Sequence, residues 1–376
     1  MGRKGRIKLA KLFKNKRILI TGACGTIGSE LFRILCEDYD YDPKEIVGID
    51  NNESALFFMD QQYFDNLKTR FYLADVRDLS KMNRVLNKID IVFHTAALKH
   101  VELCERSPFE AIQSNIHGVQ NIIQAALENN VEKVIFTSSD KAVNSTNVMG
   151  TSKLMGERLI TAANNNHFGS ETIFASTRFG NVLGSSGSVI PVFHGQIKNG
   201  GPVTLTDDRM TRFVMSINSA AKLVLDSATI AQGGEVFITK MPVIKIADLA
   251  RVMIEELSRK YGFNAGDIQI KEIGIKPGEK LYEELMSNEE THRAIELEKY
   301  FSILPAFRGI YQDIEYNYQD IVSHTVTNPY VSAEEKAISK DELRAFLEVN
   351  HLLDTETFSS CYPKKPLVAE KHNEEQ

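Results

Sequence analysis

Short runs of apolar and β-branched residues alternate in the first half of the chain with segments whose apolar positions recur at helical spacing. The pattern predicts strands at Arg17 to Thr21, Glu45 to Ile49, Arg70 to Ala74, Ile89 to Ala97, Val131 to Thr137 and Glu171 to Arg178. It predicts helices between them, at about Ile27 to Cys36, Asp78 to Leu86, Glu105 to Glu128 and Met149 to Asn164, the last with Met155, Leu159 and Ala163 on one side. This alternation is the mark of an α/β fold with a doubly wound parallel sheet. Further along, Ser219 to Ala231 and Ile246 to Tyr261 have helical periodicity, and Glu235 to Thr239 reads as a late strand. A last helix, Ser339 to Leu353, opens on a capping-box sequence and carries Leu343, Phe346, Leu347 and Leu352. Tyr311 to Pro329 is polar and irregular, and the residues from about Asp354 read as a disordered tail.

The first strand runs into Thr21-Gly22-Ala23-Cys24-Gly25-Thr26-Ile27-Gly28. Gly22 allows a tight turn, Gly25 lets the backbone approach a diphosphate, and Gly28 lets helix and strand pack closely. The diphosphate belongs at the N-terminus of the following helix, where free N–H groups and the dipole favour an anion. Asp50 ends the second strand 22 residues after Gly28 and suits an adenosine ribose; with Asn51 and Asn52 following instead of an Arg, NAD is favoured over NADP. Asp75 and Val76 end the third strand beside the adenine position. Thr95, Ala96 and Ala97 are small enough for a cofactor to cross the sheet there. A Rossmann-type domain follows, built from residues 16–180 and about 213–242. Residues 181–212 and about 243–330 are left for a smaller C-terminal α/β substrate lobe, after a basic leader (1–15) and before a C-terminal helix and tail (331–376).

Composition narrows the field. The chain has 376 residues, 43% hydrophobic and 25% charged, which is ordinary for a globular protein. A formal charge of −6 argues against nucleic acid as main partner, because phosphate neutralisation needs a basic surface. No apolar run is long enough for a membrane span. The first 17 residues hold eight Lys and Arg and no acid. Leu9, Leu12 and Phe13 would suit a membrane-surface stripe, but a solvated basic leader is the favoured reading. Cys24, Cys36, Cys104 and Cys361 show no metal or CxxC spacing, which fits free thiols in a reducing cytoplasm. The nine histidines form no ligand pattern, so no metal is expected; His94 and His100 read as structural.

The fifth strand ends in Ser138-Ser139-Asp140-Lys141, and Lys153 follows on the next helix four residues after Met149. A hydroxyl, a carboxylate and two amines therefore gather at the C-terminal edge of the sheet, where open α/β folds bind ligands. Taken alone, the stretch fits a polar loop with solvated charges equally well. In the second half, Asn181, Ser188 and Val189 lie in a glycine- and serine-rich segment, Phe179 to Pro191, suited to a second diphosphate or to a mobile loop. Thr206, Asp207 and Arg212 follow, with Arg212 a guanidinium for phosphate. Pro277-Gly278-Glu279-Lys280 reads as a helix start, with Glu279 near the same pocket.

Five segments together resemble the nucleotide-sugar 4,6-dehydratases of the extended short-chain dehydrogenase/reductase superfamily, in the UDP-N-acetylhexosamine, polysaccharide-biosynthesis branch. They are TGACGTIGSEL (Thr21 to Leu31), HTAALKHVELCE (His94 to Glu105), SSDKAVNSTNVMGTSK (Ser138 to Lys153), RFGNVLGSSGSVIP (Arg178 to Pro191) and KPGEKLYEEL (Lys276 to Leu285). The resemblance adds Lys99, Asn115 and Lys153 to the NAD set, and places Lys99 and His100 near the substrate. It implies hydride leaving sugar C4, Lys141 as base at C5, Asp140 as acid at the 6-hydroxyl, and hydride return to C6 of UDP-N-acetylglucosamine, with a GDP sugar as a possible analogue. Lys141 must then be neutral, and burial, Lys153 and the nicotinium charge would lower its pKa. Most of the superfamily carries Tyr where this chain has Met149, which has no proton to exchange. Ser139 is therefore expected to relay the 4-hydroxyl proton, with Lys153 anchoring the ribose. The resemblance also implies homo-oligomers through paired helices. The rivals are a UDP-sugar 4-epimerase and a non-catalytic dinucleotide-binding protein.

Overall fold

A computed structural model describes residues 11–38, 40–165, 171–185, 187–274, 278–307 and 314–355. Six parallel strands, β1 (Arg17–Thr21), β2 (Glu45–Asp50), β3 (Thr69–Leu73), β4 (Ile91–His94), β5 (Lys133–Thr137) and β6 (Ile173–Arg178), lie in the order 3-2-1-4-5-6. The order reverses between β1 and β4, which opens a crevice at their C-terminal ends. The strands read as continuous apolar runs because both sheet faces are covered. Ile18 and Ile20 of β1 and Ile91 and Phe93 of β4 pack with Leu31, Phe32, Leu35, Ala221 and Val224 from helices Thr26–Glu37 and Ile217–Ile230. Leu19, Val92, Val134 and Phe136 point the other way, onto Met82, Ile122, Ala126 and Ile160.

The smaller lobe contains β7 (Asn181–Val182), β8 (Val203–Leu205) and β9 (Thr211–Met215), followed in the chain by β10 (Val236–Thr239), β11 (Val243–Lys245), β12 (Ile270–Glu272) and β13 (Glu284–Met286). Strands β11, β9 and β7 form one small sheet, and β12 pairs with β8. Their core, with Leu183, Phe193, Val214, Leu249, Val252, Met253 and Leu343, is closed by helices Val189–Lys198, Ile246–Leu257 and Lys340–Val349. Strand β10 instead pairs parallel with β6 in the main sheet.

Several expectations are corrected. The long helix Glu105 to Glu128 is broken: Val101–Arg106 stops at Ser107, Pro108–Ile112 starts anew, and a π-type turn (Gln113–His117) leads into Gly118–Glu128. Pro108 lacks an N–H and holds Ser107 out of the helical region, at φ −133°. Strands β14 (Ala294–Leu297), β15 (Tyr300–Ile303) and β16 (Ile321–Ser323) extend the main sheet antiparallel beyond β10 rather than serving the lobe. Part of the segment expected as irregular, Tyr311 to Pro329, is therefore paired; residues 311–313 lie outside the described set. No helix starts at Gly278, which has φ +80°; the chain enters β13, paired with β17 (Tyr330–Val331). Phe13 is fully buried against Tyr41 and Phe93, so the end of the basic leader is core. The unpredicted helix Glu53–Gln62 is capped by Asn52, which accepts from the Ala55 N–H at 3.1 Å. Within the glycine–serine segment, Val189–Lys198 is helix instead of loop. The rest of the leader, the tail from residue 356, Cys361, Lys276 and Pro277 lie outside the described residues. Among those described, no helix is long and apolar enough to cross a membrane.

Candidate active site

Two cavities gather most of the expected site residues. The first, about 180 Å³, is walled by Gly22, Gly25, Asp50, Asn51, Asp75, Val76, Thr95, Ala96 and Ala97, with Ile49, Ala74, Leu98 and Ser114. Nine of the residues expected to meet the cofactor thus stand around one space. Its floor needs glycine: a Cβ on Gly22 would lie 2.8 Å from Ala96 N, and one on Gly28 would lie 2.1 Å from Gly22 O. Helix Thr26–Glu37 begins there with no side-chain cap on Gly25, leaving N–H groups for an anion. Asp50 is held by the N–H groups of Cys24 (3.0 Å) and Asn52 (2.9 Å), which fixes its carboxylate at the rim. Asp75 enters the wall as an ion pair with Arg77 (2.7 Å), which keeps its carboxyl below the usual range. These residues fit a dinucleotide.

Asn115, Lys99 and Lys153 lie off that wall. Asn115 is buried, takes the Leu98 N–H (2.8 Å) and donates to Leu98 O (3.0 Å) and Ser152 Oγ (2.9 Å), so it clamps the loop after β4 to helix Val148–Ala162. Lys153 donates to Thr137 O (2.9 Å), and burial lowers it to about 8. His94 is buried against Thr21 Oγ1 (2.7 Å) and is neutral, burial having pushed it down to about 3.

The second cavity, about 440 Å³, gathers Lys141, Asn181, Ser188, Val189, Arg212 and Glu279, the candidates for substrate, with Thr206, Lys280 and Glu283. His100 is not on its wall but packs against the glycine–serine segment, where a Cβ on Gly187 would meet its ring at 2.7 Å. Ser188 precedes helix Val189–Lys198, caps nothing, and its Oγ is buried without a hydrogen-bond partner among the described residues. A ligand oxygen at that helix start would satisfy both. Arg212 is spent otherwise than expected: it donates to the carbonyls of Thr211 (2.8 Å), Lys280 (2.8 Å) and Leu281 (3.1 Å) and lies 3.3 Å from Glu283, so it clamps protein and is not aimed at phosphate. Asp207 is forked by Arg209 (2.7 Å); with Asp208 and Glu272 it forms an acidic cluster at the lobe surface.

Between the cavities sits a charged cluster. Ser139 Oγ donates to Asp140 Oδ1 (2.6 Å), and Lys141 Nζ lies 3.2 Å from both Asp140 oxygens and 3.5 Å from Glu283. The turn is locked in place because a Cβ on Gly150 would lie 2.1 Å from Lys141 O, and Lys280 Nζ bonds the carbonyls of Val143 (3.1 Å) and Asn144 (2.9 Å). Asp140 and Glu283 hold Lys141 above its usual pKa although burial opposes them, so the resting side chain is an ammonium. The lowering expected from burial is thus outweighed in the resting cluster. Burial raises the Asp140 carboxyl, but Lys141 and Ser139 outweigh it and leave Asp140 ionised. Met149 is buried with Cys104 and Ala111, as a packing residue. Glu283 is the residue the sequence reading missed. Glu283 stands just before β13, whose Leu285 and Met286 are buried, and no local pattern marks it.

The polysaccharide biosynthesis protein family matches residues 18–305. The chain belongs to this family. It is 50% identical over 297 residues, 79% of this chain and 88% of the relative, to a protein of Methanocaldococcus jannaschii named "Uncharacterized membrane protein MJ1061". It is 39% identical over 307 residues, 81% of this chain and 88% of the relative, to the UDP-N-acetylglucosamine 4,6-dehydratase (inverting) of Campylobacter jejuni. Among solved structures it is similar to Pen from Bacillus thuringiensis, with 43% identity, a TM-score of 0.81 and coverage of 90% of this chain and 98% of that one. The family assignment agrees with the extended short-chain dehydrogenase/reductase architecture, and it spans both cavities and the cluster between them.

Proposed function

We propose that the protein is a sugar-nucleotide hydro-lyase, an NAD-dependent 4,6-dehydratase of a UDP-N-acetylhexosamine, with UDP-N-acetylglucosamine first. The observation that carries this is the Lys141 amine set between two buried carboxyls where the larger cavity meets the end of β5. Gly22, Gly25, Asp50 and Asp75 would hold NAD in the smaller cavity, where it would supply a hydride acceptor for sugar C4 and a donor for C6. The residues do the rest. Ser188 and the N-terminus of helix Val189–Lys198 hold the substrate diphosphate, with Asn181 and Thr206 beside it. Asp140, 3.2 Å from the Lys141 amine, takes the ammonium's proton and passes it to the departing 6-hydroxyl, while the freed amine removes the C5 proton, made acidic by the C4 ketone; the proton lost by the 4-hydroxyl replaces the one that leaves with water. Ser139 aligns Asp140, and Lys153 lowers the cost of the charge that builds at the 4-oxygen.

Curated relatives named UDP-glucose 4-epimerase also match this chain. An epimerase has no use for Lys141, and Met149 offers it no proton acceptor. A homo-oligomer in the cytoplasm is part of the same reading; Leu103, Phe109 and Met155, exposed on helices that contact one another, would suit the oligomer's interface. Mass spectrometry after mixing with UDP-N-acetylglucosamine and NAD tests the proposal. A product lighter by one water supports it, an unchanged mass contradicts it, and a GDP sugar in parallel reports on the nucleotide.

A further inference from the structure

We propose that Lys280 is a positioning residue, which clamps the turn that carries Lys141 to the wall of the larger cavity and so sets the distance from the lysine amine to the sugar. The inference rests on the dehydratase reading. After the single helical turn Asp140–Ala142, the chain has neither strand nor helix until Val148. Its start is tied locally, where the Val143 N–H donates to Asp140 O at 3.0 Å. Four further hydrogen bonds tie it to residues 131 to 140 positions along the chain. Lys280 Nζ donates to Val143 O at 3.1 Å and to Asn144 O at 2.9 Å. Asn144 Nδ2 donates to Glu284 Oε2 at 2.8 Å, and Asn147 Nδ2 to Gly278 O at 3.4 Å. Asn144 has φ +45°, a left-handed conformation that persists in a residue with a side chain when its surroundings hold it. Here that conformation accompanies two successive carbonyls bonded to one nitrogen.

A lysine on the cavity wall would suit the substrate's phosphates, but the donors of Lys280 are engaged elsewhere. An ammonium has three N–H groups. Two carbonyls take up two of them, and Glu284 lies 3.7 Å from the same nitrogen. The backbone of Lys280 is fixed in turn, because Arg212 donates to the carbonyls of Lys280 (2.8 Å) and Leu281 (3.1 Å), and the Thr211 N–H donates to Leu281 O (3.0 Å). One chain of contacts therefore runs from β9, in the lobe that walls the cavity, to the turn after Lys141. In the dehydratase reading the lobe holds the sugar nucleotide, through Ser188, Asn181 and Thr206, whereas Lys141 stands at the end of β5 in the main sheet. Base and C5 hydrogen are thus placed by different parts of the fold, and Lys280 joins the two. Proton transfer needs heavy atoms about 3 Å apart, and a misplacement of about 1 Å can cost about 100-fold in rate.

The test is Lys280→Met, with Lys280→Arg as the conservative variant, assayed with UDP-N-acetylglucosamine and NAD. Wild type that loses no water refutes the dehydratase reading, and exchange of the turn, below, then decides the clamp by itself. With wild type active, Lys280→Met is expected to lower kcat for water loss about 10–100-fold while Kd for the sugar nucleotide, by calorimetry, stays within about threefold. Absorbance of reduced nicotinamide should build up during turnover, because oxidation at C4 proceeds and removal of the C5 proton is what slows. Lys280→Arg, whose guanidinium can bond both carbonyls, should restore kcat to within about fivefold of wild type. Without substrate, amide hydrogen exchange over residues 142–147 should speed up in Lys280→Met and slow again in Lys280→Arg. A Kd raised about tenfold or more with kcat near wild type overturns the proposal, since Lys280 would then hold phosphate. Exchange of the turn that stays unchanged overturns it as well, and so does slow water loss without reduced nicotinamide. Should Lys280→Met fail to fold, Glu284→Ala, which frees Asn144, takes its place: a lowered kcat at unchanged Kd supports the clamp, and an unchanged kcat overturns it.

Discussion

Replacing Glu283 by Gln should make stability less sensitive to pH, by an amount that the burial of this carboxyl sets. Glu283 faces Asp140, Lys141 and Arg212 in a nearly dry space, and its folded-state pKa is about 7 against an ordinary 4.5. Because the folded value is raised, its contribution to stability is complete below about pH 4.5 and is lost as pH rises through 7. At about 1.36 kcal/mol per pKa unit, the loss comes to about 3 kcal/mol. Gln keeps the shape and has no proton to lose. The variant should therefore gain on wild type by about 3 kcal/mol as the pH is raised from 4.5 to 8. With an unfolding entropy of about 2.1 cal/mol/K per residue, a chain of 376 residues converts that into about 4 °C of Tm. Scanning calorimetry of both proteins across this range, without substrate, measures the difference directly. A Tm gap that stays flat to within about 1 °C would refute the raised pKa of Glu283 and with it the electrostatics assigned to the cluster.

Other perturbations separate chemistry from packing. Lys141→Met should reduce water loss by about 10²–10⁴-fold while the intrinsic NAD fluorescence response is retained, because the smaller cavity does not include residue 141. Met149→Leu should cost less than about 1.5 kcal/mol in urea unfolding and leave turnover within about threefold, as befits a side chain buried with Cys104 and Ala111; a large loss of turnover at unchanged stability would give the thioether a role not assigned to it. Gly28→Ala should lower both Tm and the cofactor copurified with the protein, since the new Cβ would fall 2.1 Å from Gly22 O.

The nucleotide half was legible because its signals are local. The strand that ends in Thr21, the glycine turn and Asp50 at the end of β2 each announce themselves within a few residues, and the structure brings them to one cavity. What escaped was set by pairings across the chain. Strands β14 to β16 are short and find their place only by adding to β10. Arg212 was read as free for phosphate because no local pattern shows that the carbonyls of residues 280 and 281, some 68 positions on, would occupy it. Glu283 joins Lys141 across 142 positions, through a segment anchored by Lys280 on the Val143 carbonyl and by Arg178, which forks Glu157 (2.6 Å) and Glu290 (3.0 Å). The same distance in sequence bears on Lys141: Asp140 was read as its coupled partner, and the fold adds Glu283 as a second acid.

The central claim is that hydride removed from one carbon of the sugar returns to another within the same active site. UDP-N-acetylglucosamine carrying deuterium at C4, incubated with the protein and NAD in ordinary water, tests it by proton NMR. The account predicts a product with the label moved to C6 and a ketone at C4. Label that remains on C4, in either configuration, or that is lost to solvent would contradict it.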